Sequence, residues 1–163
     1  MEFNIGDRVA YPMHGAGVIE AIEEREVSGA KQNYYVIRLP LGEMRVMLPC
    51  HNVKELGLRS IVDAKEVDQV LAVLRKKDAV MSNNWSHRYR ANLDKIRSGN
   101  ILEVAEVVRN LSTREREKGL SSGERRMLGN ARQILYSEIA LVKDLAAEQV
   151  EEMVARYLSK LES

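Results

Sequence analysis

Asp63-Ala64-Lys65-Glu66-Val67-Asp68-Gln69-Val70-Leu71-Ala72-Val73-Leu74 is the stretch on which the fold turns. Val67, Val70, Leu71 and Leu74 recur at three- and four-residue intervals, the spacing of one helical stripe, and Asp63 with Glu66 three residues later forms a capping pair. From here onward the chain contains no proline. Upstream the pattern is different. Short runs read as strands: Arg8-Val9-Ala10-Tyr11, Gly17-Val18-Ile19-Glu20-Ala21-Ile22, Tyr34-Tyr35-Val36-Ile37-Arg38-Leu39 and Met44-Arg45-Val46-Met47-Leu48. Gly6, Gly15, Gly17, Gly29 and Gly42 punctuate them, and all three prolines, Pro12, Pro40 and Pro49, fall among them. This predicts a small antiparallel sheet or barrel. So short a segment makes a marginal core, so the sheet should close on itself or lean on the rest of the chain.

Downstream, four more helices follow. One begins at Asn84 and carries Tyr89, Leu93 and Ile96 until Ser98-Gly99-Asn100 ends it. The next uses Ile101, Val104, Val108 and Leu111 and stops at Gly119. Ser121 with Glu124 is a capping-box signature for a fourth helix bearing Met127, Leu128, Ala131, Ile134, Leu135 and Leu141. The last, from about residue 147, carries Val150, Met153, Val154, Tyr157 and Leu161. The expected class is α+β: a β domain over residues 1–58 and an all-helical bundle of about five helices over residues 59–163.

Composition narrows the function. With 163 residues, 45% of them hydrophobic, the chain can pack a core. No signal-peptide pattern opens it and no apolar run approaches bilayer length, which predicts a soluble intracellular protein without a membrane partner. One cysteine, Cys50, excludes an internal disulfide and falls short of the two or more that the usual structural zinc sites use, and there are only three histidines. Neither metal nor cofactor is expected. His14, Cys50 and His51 have no acidic partner at a motif spacing. The glycines of His14-Gly15-Ala16-Gly17 lack the strand and helix of a nucleotide fingerprint. A turn histidine and a small core thiol explain them, and catalysis has no support.

The net charge of +1 hides an uneven distribution. Residues 1–62 hold seven Lys/Arg against eight Asp/Glu, residues 109–132 seven against three, and residues 133–163 three against six. A local surplus attracts a polyanion even on a nearly neutral protein, because screening confines each charge to about 10 Å at moderate salt. Arg88, Arg90, Lys95 and Arg97 share their helix with one acid, Asp94. Arg114, Arg116, Lys118, Arg125, Arg126 and Arg132 flank the turn at Gly119. Such runs are usually solvated faces, in part paired with Glu115, Glu117 and Glu124. Arg125 and Arg126, however, lie at the start of a helix, where the macrodipole disfavours cations, and this suggests neutralisation of phosphate.

Trp85 is the only tryptophan. Residues 85, 89, 93 and 96 share a helix side, which favours burial. Against this, Ser82-Asn83-Asn84 precede it and Ser86-His87-Arg88 follow, so little apolar material is at hand to cover the ring. A flat apolar ring among phosphate-binding groups is what separates stacked bases. On the residues alone both readings stand.

Gly6-Asp7-Arg8-Val9-Ala10-Tyr11-Pro12-Met13-His14-Gly15-Ala16-Gly17-Val18-Ile19-Glu20-Ala21-Ile22 resembles the RNA-polymerase-interaction module shared by CarD-type transcription regulators and the transcription-repair coupling factor. Asn84-Trp85-Ser86-His87-Arg88-Tyr89-Arg90-Ala91-Asn92-Leu93 and Lys118-Gly119-Leu120-Ser121-Ser122-Gly123-Glu124-Arg125-Arg126-Met127-Leu128 are similar to the helical domain of the CarD/CdnL family, which the coupling factor lacks. The resemblance covers nearly the whole chain.

It implies a bacterial, non-catalytic, cytoplasmic and nucleoid-associated factor, monomeric in its working complex. Its Tudor-like sheet domain would dock on a lobe of the RNA polymerase β subunit and its helical domain would touch promoter DNA. By position, Trp85 would wedge into the minor groove at the upstream edge of the transcription bubble, with Asn84, His87, Arg88, Arg90, Arg125 and Arg126 around it on the DNA. Arg25, Val27 and the strand carrying Arg45, Met47 and Pro49 would meet the polymerase. Relatives often have arginine where this chain has Met47, and Arg45, two residues earlier, shares its strand face. On this scheme the sheet domain tethers the helical domain beside the DNA, so weak contacts suffice. Two rivals make different demands. An autonomous sequence-specific repressor or activator calls for a recognition helix arrayed with Asn, Gln or Arg, which is not evident. A structural adaptor would leave Trp85 buried.

Overall fold

The computed structural model describes residues 2–39, 43–76 and 81–159. Five strands, β1 (Arg8–Tyr11), β2 (Gly15–Val27), β3 (Ala30–Leu39), β4 (Met44–Pro49) and β5 (Arg59–Ser60), form one antiparallel sheet in the order β4-β3-β2-β1-β5. Five helices follow: α1 (Ala64–Arg75), α2 (Trp85–Arg97), α3 (Ile101–Glu117), α4 (Ser122–Lys143) and α5 (Ala147–Ser159). The α+β class and the change of period at residue 63 are as expected. Pro40, Gly42 and Leu161 lie outside the described residues.

The long strands overrun the sequence expectation. β2 and β3 continue past Ile22 and before Tyr34 into a solvent-exposed hairpin closed by Ser28 and Gly29, both at positive φ (53° and 81°). Two consecutive positive φ values make the two-residue turn whose twist matches paired strands.

Register separates two sheet faces, because residues directly opposite share a side. One face holds Val9, Ile19, Tyr35, Ile37, Leu39 and Leu48, which pack with Val53 and Leu58 into the sheet's own core. The other face is divided. At the β5-β1-β2 end it is covered by α4: Ser137 Oγ accepts the Ala16 amide at 2.8 Å, Arg8 Nη1 donates to the Leu141 carbonyl at 2.6 Å, and Ala10 and Ala16 are buried. Gly15 makes this approach possible, since a Cβ there would sit 2.5 Å from Ser137 Oγ and 3.3 Å from Ile134 Cα. Among the described residues, no helix covers the β2-β3-β4 end of the same face.

Arg59 locks the junction. Its guanidinium donates to both Glu138 oxygens (2.7 and 2.8 Å), its Nε donates to the Gly99 carbonyl (3.0 Å), and Glu138 also accepts the Val62 amide (2.9 Å). The expected boundary at 58/59 therefore falls just before a strand of the sheet. The connection is also a packed joint: the sheet leans on the bundle, one of the two arrangements expected for so small a core.

In the bundle, α3 is central and buries residues on all sides, from Ile101 to Thr113. The predicted stripes Val67, Val70, Leu71 and Leu74 of α1, Met127, Leu128, Ala131, Ile134 and Leu135 of α4, and Val150 and Val154 of α5 all enter this core. Each of the first four helices starts on a side-chain cap: Asp63, Asn84, Asn100 and Ser121 accept the amides of Glu66, His87, Leu102 and Glu124 respectively. Among the described residues, no helix is long and apolar enough to cross a membrane.

Candidate nucleic-acid interface

Trp85 opens α2 directly after the Asn84 cap, and its side chain reaches the start of α4, where Nε1 donates to Ser121 Oγ at 3.0 Å. The Tyr89 ring, one turn further along, stacks on the indole with centroids 5.0 Å apart and planes inclined by 20°. Trp85 nevertheless remains 46% exposed. Helical periodicity aligned it with Ile96, but at the first position of the helix the ring overhangs the end of the bundle. Of the two readings left open above, the exposed one is correct.

At the α2 cap and in the opening turns of α2 and α4, Asn84, His87, Arg90, Arg125 and Arg126 are all exposed. Asn84 spends its carbonyl oxygen on the cap, leaving its amide hydrogens outward. Among the described residues, Arg90, Arg125 and Arg126 form no ion pair. Two further basic residues of these helices are occupied: Lys95 pairs with Glu106 at 2.7 Å and Arg132 approaches Glu115 at 3.9 Å. The α2 and α4 N-termini lie side by side here. The first turn of α2 contains no acid, and the one in α4, Glu124, is turned inward. Their dipoles and free N–H groups add to a positive, aromatic-tipped corner.

Arg88 is a correction. Expected at the DNA backbone, it is 4% exposed and donates to Glu124, itself 1% exposed, through Nε (2.8 Å) and Nη2 (3.2 Å). Its Nη1 donates to the Ser82 and Asn83 carbonyls at 3.1 and 3.4 Å. Arg88, Asn92 and Ile96 form the inward stripe of α2, so the guanidinium points away from solvent. Its hydrogen bonds hold the Glu124 carboxyl below the ordinary carboxylate range despite burial, and the carboxylate raises the Arg88 guanidinium in turn. A phosphate has no access to this group. The spacing 88, 92, 96 was the sequence signal for it. Ser121, read only as a cap, and Tyr89, read only as core, are the two contacts of Trp85 that the sequence reading did not assign to the site.

The second candidate surface is the uncovered half of the sheet. Val27 pairs with Ala30, Arg25 with Gln32, Pro49 with Tyr34, Met47 with Val36 and Arg45 with Arg38. By this register all five residues expected at the polymerase lie on one face, the one α4 leaves open. Val27 and Met47 are exposed hydrophobics. Arg25 pairs with Glu23 at 2.9 Å, and Arg45 and Arg38 both approach Glu20. Cys50, beside Tyr35, has its thiol pushed up by burial, so it stays protonated at neutral pH.

Both segments correspond to known domains. Residues 3–62 match the CarD-like/TRCF RID domain and residues 69–155 the CarD C-terminal domain. The chain belongs to the CarD/CdnL family. It is thus a transcription regulator with an RNA-polymerase-interaction domain. A family relative from Bacillus subtilis (strain 168), "Putative transcription factor YdeB", is 40% identical over 148 residues, which span 91% of this chain and 97% of that protein. The 72-residue N-terminal domain of Myxococcus xanthus CarD, solved by NMR in solution, is 34% identical over a match covering 36% of this chain and 77% of that one, with a TM-score of 0.32.

Proposed function

We propose that this cytoplasmic regulator docks on the RNA polymerase β subunit through the open face of its sheet and prolongs the promoter open complex by inserting Trp85 into the minor groove at the upstream edge of the bubble. The observation that carries this reading is the exposed indole, held at a corner where the N-termini of α2 and α4 meet, with Arg90, Arg125 and Arg126, which form no ion pair among the described residues, exposed in the opening turns of those helices. The arginines and the exposed His87 and Asn84 attract backbone phosphate without reading bases, which suits a contact that has to work at many sequences. An adaptor that uses the bundle only for protein contact would have no need of an exposed ring here.

Docking and insertion are mechanically linked. α4 carries Ser137, Glu138 and Leu141 at the sheet junction and has its N-cap, Ser121, at the indole. Ser137 lies sixteen positions after Ser121, a rod of about 24 Å at 1.5 Å per residue. Seating the sheet on the polymerase therefore places the wedge at a set distance.

The wedge acts by differential affinity. Separated base pairs offer a gap that the ring fills, whereas the closed duplex does not, and only that difference shifts the equilibrium. Base–aromatic stacking is worth about 1–3 kcal/mol, equivalent to a roughly fivefold to more than hundredfold longer open complex. The test is open-complex lifetime at a defined promoter with the parent chain, Trp85→Ala and Trp85→Phe. The alanine variant should lose the effect and the phenylalanine variant should keep part of it, with polymerase binding equal in all three. Equal lifetimes for parent and alanine variant would refute the proposal.

A further inference from the structure

We infer that Ser121, backed by the buried Arg88–Glu124 pair, is a positioning residue that sets the orientation of the Trp85 indole; this rests on the wedge reading above. The contacts form one unbroken chain. The indole N–H donates to Ser121 Oγ (3.0 Å), the Ser121 hydroxyl donates to Glu124 Oε1 (3.2 Å), and Glu124 accepts two bonds from Arg88 (2.8 and 3.2 Å). Arg88 then grips the carbonyls of Ser82 and Asn83, the residues leading into Trp85. The same guanidinium thus holds the backbone just ahead of the ring and the carboxylate just behind the ring's acceptor.

Ser121 uses the full capacity of a hydroxyl. One lone pair takes the Glu124 amide, as an N-cap does, the other takes the indole N–H, and the proton goes to Glu124 Oε1. An alanine could do none of this, and an aspartate could accept but would face Glu124 with a second negative charge. The stacked Tyr89 supplies a wall for one face of the indole. Gly123 brings the α4 backbone alongside, since a Cβ there would lie 3.8 Å from both the Trp85 and Tyr89 rings. An exposed tryptophan otherwise samples several rotamers, and ordering it on DNA costs entropy at the moment of binding. Here that ordering is made in advance, within the fold.

Because Trp85 is the only tryptophan, intrinsic fluorescence anisotropy of the full chain reports this ring alone. Ser121→Gly removes the hydroxyl while costing the helix start little, and Ser121→Thr keeps both the cap and the acceptor. The expected result for Ser121→Gly is lower anisotropy and an open complex roughly fivefold shorter-lived, the loss of one net hydrogen bond, with circular dichroism and polymerase binding unchanged. Ser121→Thr should restore both readouts to within about twofold. Arg88→Lys, which keeps the charge but not the two-pronged geometry, should shift both in the same direction as Ser121→Gly. Unchanged anisotropy in Ser121→Gly, or an equal loss in Ser121→Thr, overturns the inference. So does a shorter lifetime in Trp85→Ala with none in Ser121→Gly, a result that leaves the wedge intact. An unchanged lifetime in Trp85→Ala sinks the wedge reading instead, and anisotropy alone then decides the positioning role.

Discussion

α4 carries two buried glutamates that each take a two-pronged arginine, and they do different jobs. Glu138 binds Arg59 of β5 and the Val62 amide, joining sheet to bundle, while Glu124 binds Arg88 of α2 and the Ser121 hydroxyl, bracing the corner that holds Trp85. Their arginines differ in access to water: the Arg59 side chain is 33% exposed, that of Arg88 only 4%. A partly hydrated cation tolerates loss of its partner, whereas a buried one does not. The two ends of one helix therefore respond unequally to the same chemical insult. The Arg88 end is brittle and locally consequential, while the Arg59 end is tolerant but governs the geometry of the whole molecule.

The largest effect expected on this view is that of Glu124→Ala, which strands Arg88 and should cost about 3–5 kcal/mol, read as the drop in unfolding free energy in urea. Replacing both partners by apolar residues, Arg88→Met with Glu124→Leu, should recover most of that loss. Glu138→Ala should cost less, about 1–3 kcal/mol, because Arg59 can turn to water while the Val62 amide loses its acceptor. If the two single variants prove equally destabilising, hydration of the arginine is not what separates the pairs.

Acid sharpens the comparison. The Glu124 carboxyl is held below its ordinary value of 4.5 by hydrogen bonds from Arg88, so its stabilising contribution is complete above that unfolded-state value and is lost as pH falls through the lower folded-state value. The stability gap between the parent chain and Glu124→Gln should therefore be constant from pH 7 to about 5 and narrow only in stronger acid. A gap that closes between pH 7 and 5 would contradict the assignment. The smallest stability effect is expected on the open sheet face. Arg25→Glu should change unfolding free energy by no more than about 0.5 kcal/mol, as exposed substitutions do, yet abolish capture by the isolated polymerase β lobe.

Much of this architecture was legible because it is written in local periods. The stripe Val67, Val70, Leu71, Leu74, the caps at Asp63 and Ser121, and the alternation around Ile37 and Leu48 all led to the observed elements. The tip of the β2-β3 hairpin was not legible, since Glu23-Glu24-Arg25-Glu26 shows no apolar alternation once both faces meet solvent. Nor was β5, whose two residues are held by pairing with β1 and by Glu138 from far along the chain. At the candidate site, exposure of Arg90, Arg125 and Arg126 followed from their charge. Arg88 broke that rule because its partner lies 36 residues away, a separation that no local pattern reports. The second duty of Ser121 was hidden for the same reason.

The central claim is that a solvent-facing indole on a braced corner prolongs promoter opening. It is tested most directly by the dissociation rate of open complexes challenged with competitor DNA, comparing saturating parent chain with saturating Trp85→Ala under conditions where both occupy the polymerase equally. The account predicts that the alanine variant returns the lifetime to that of polymerase alone. Full retention of the parent's effect by Trp85→Ala would contradict it.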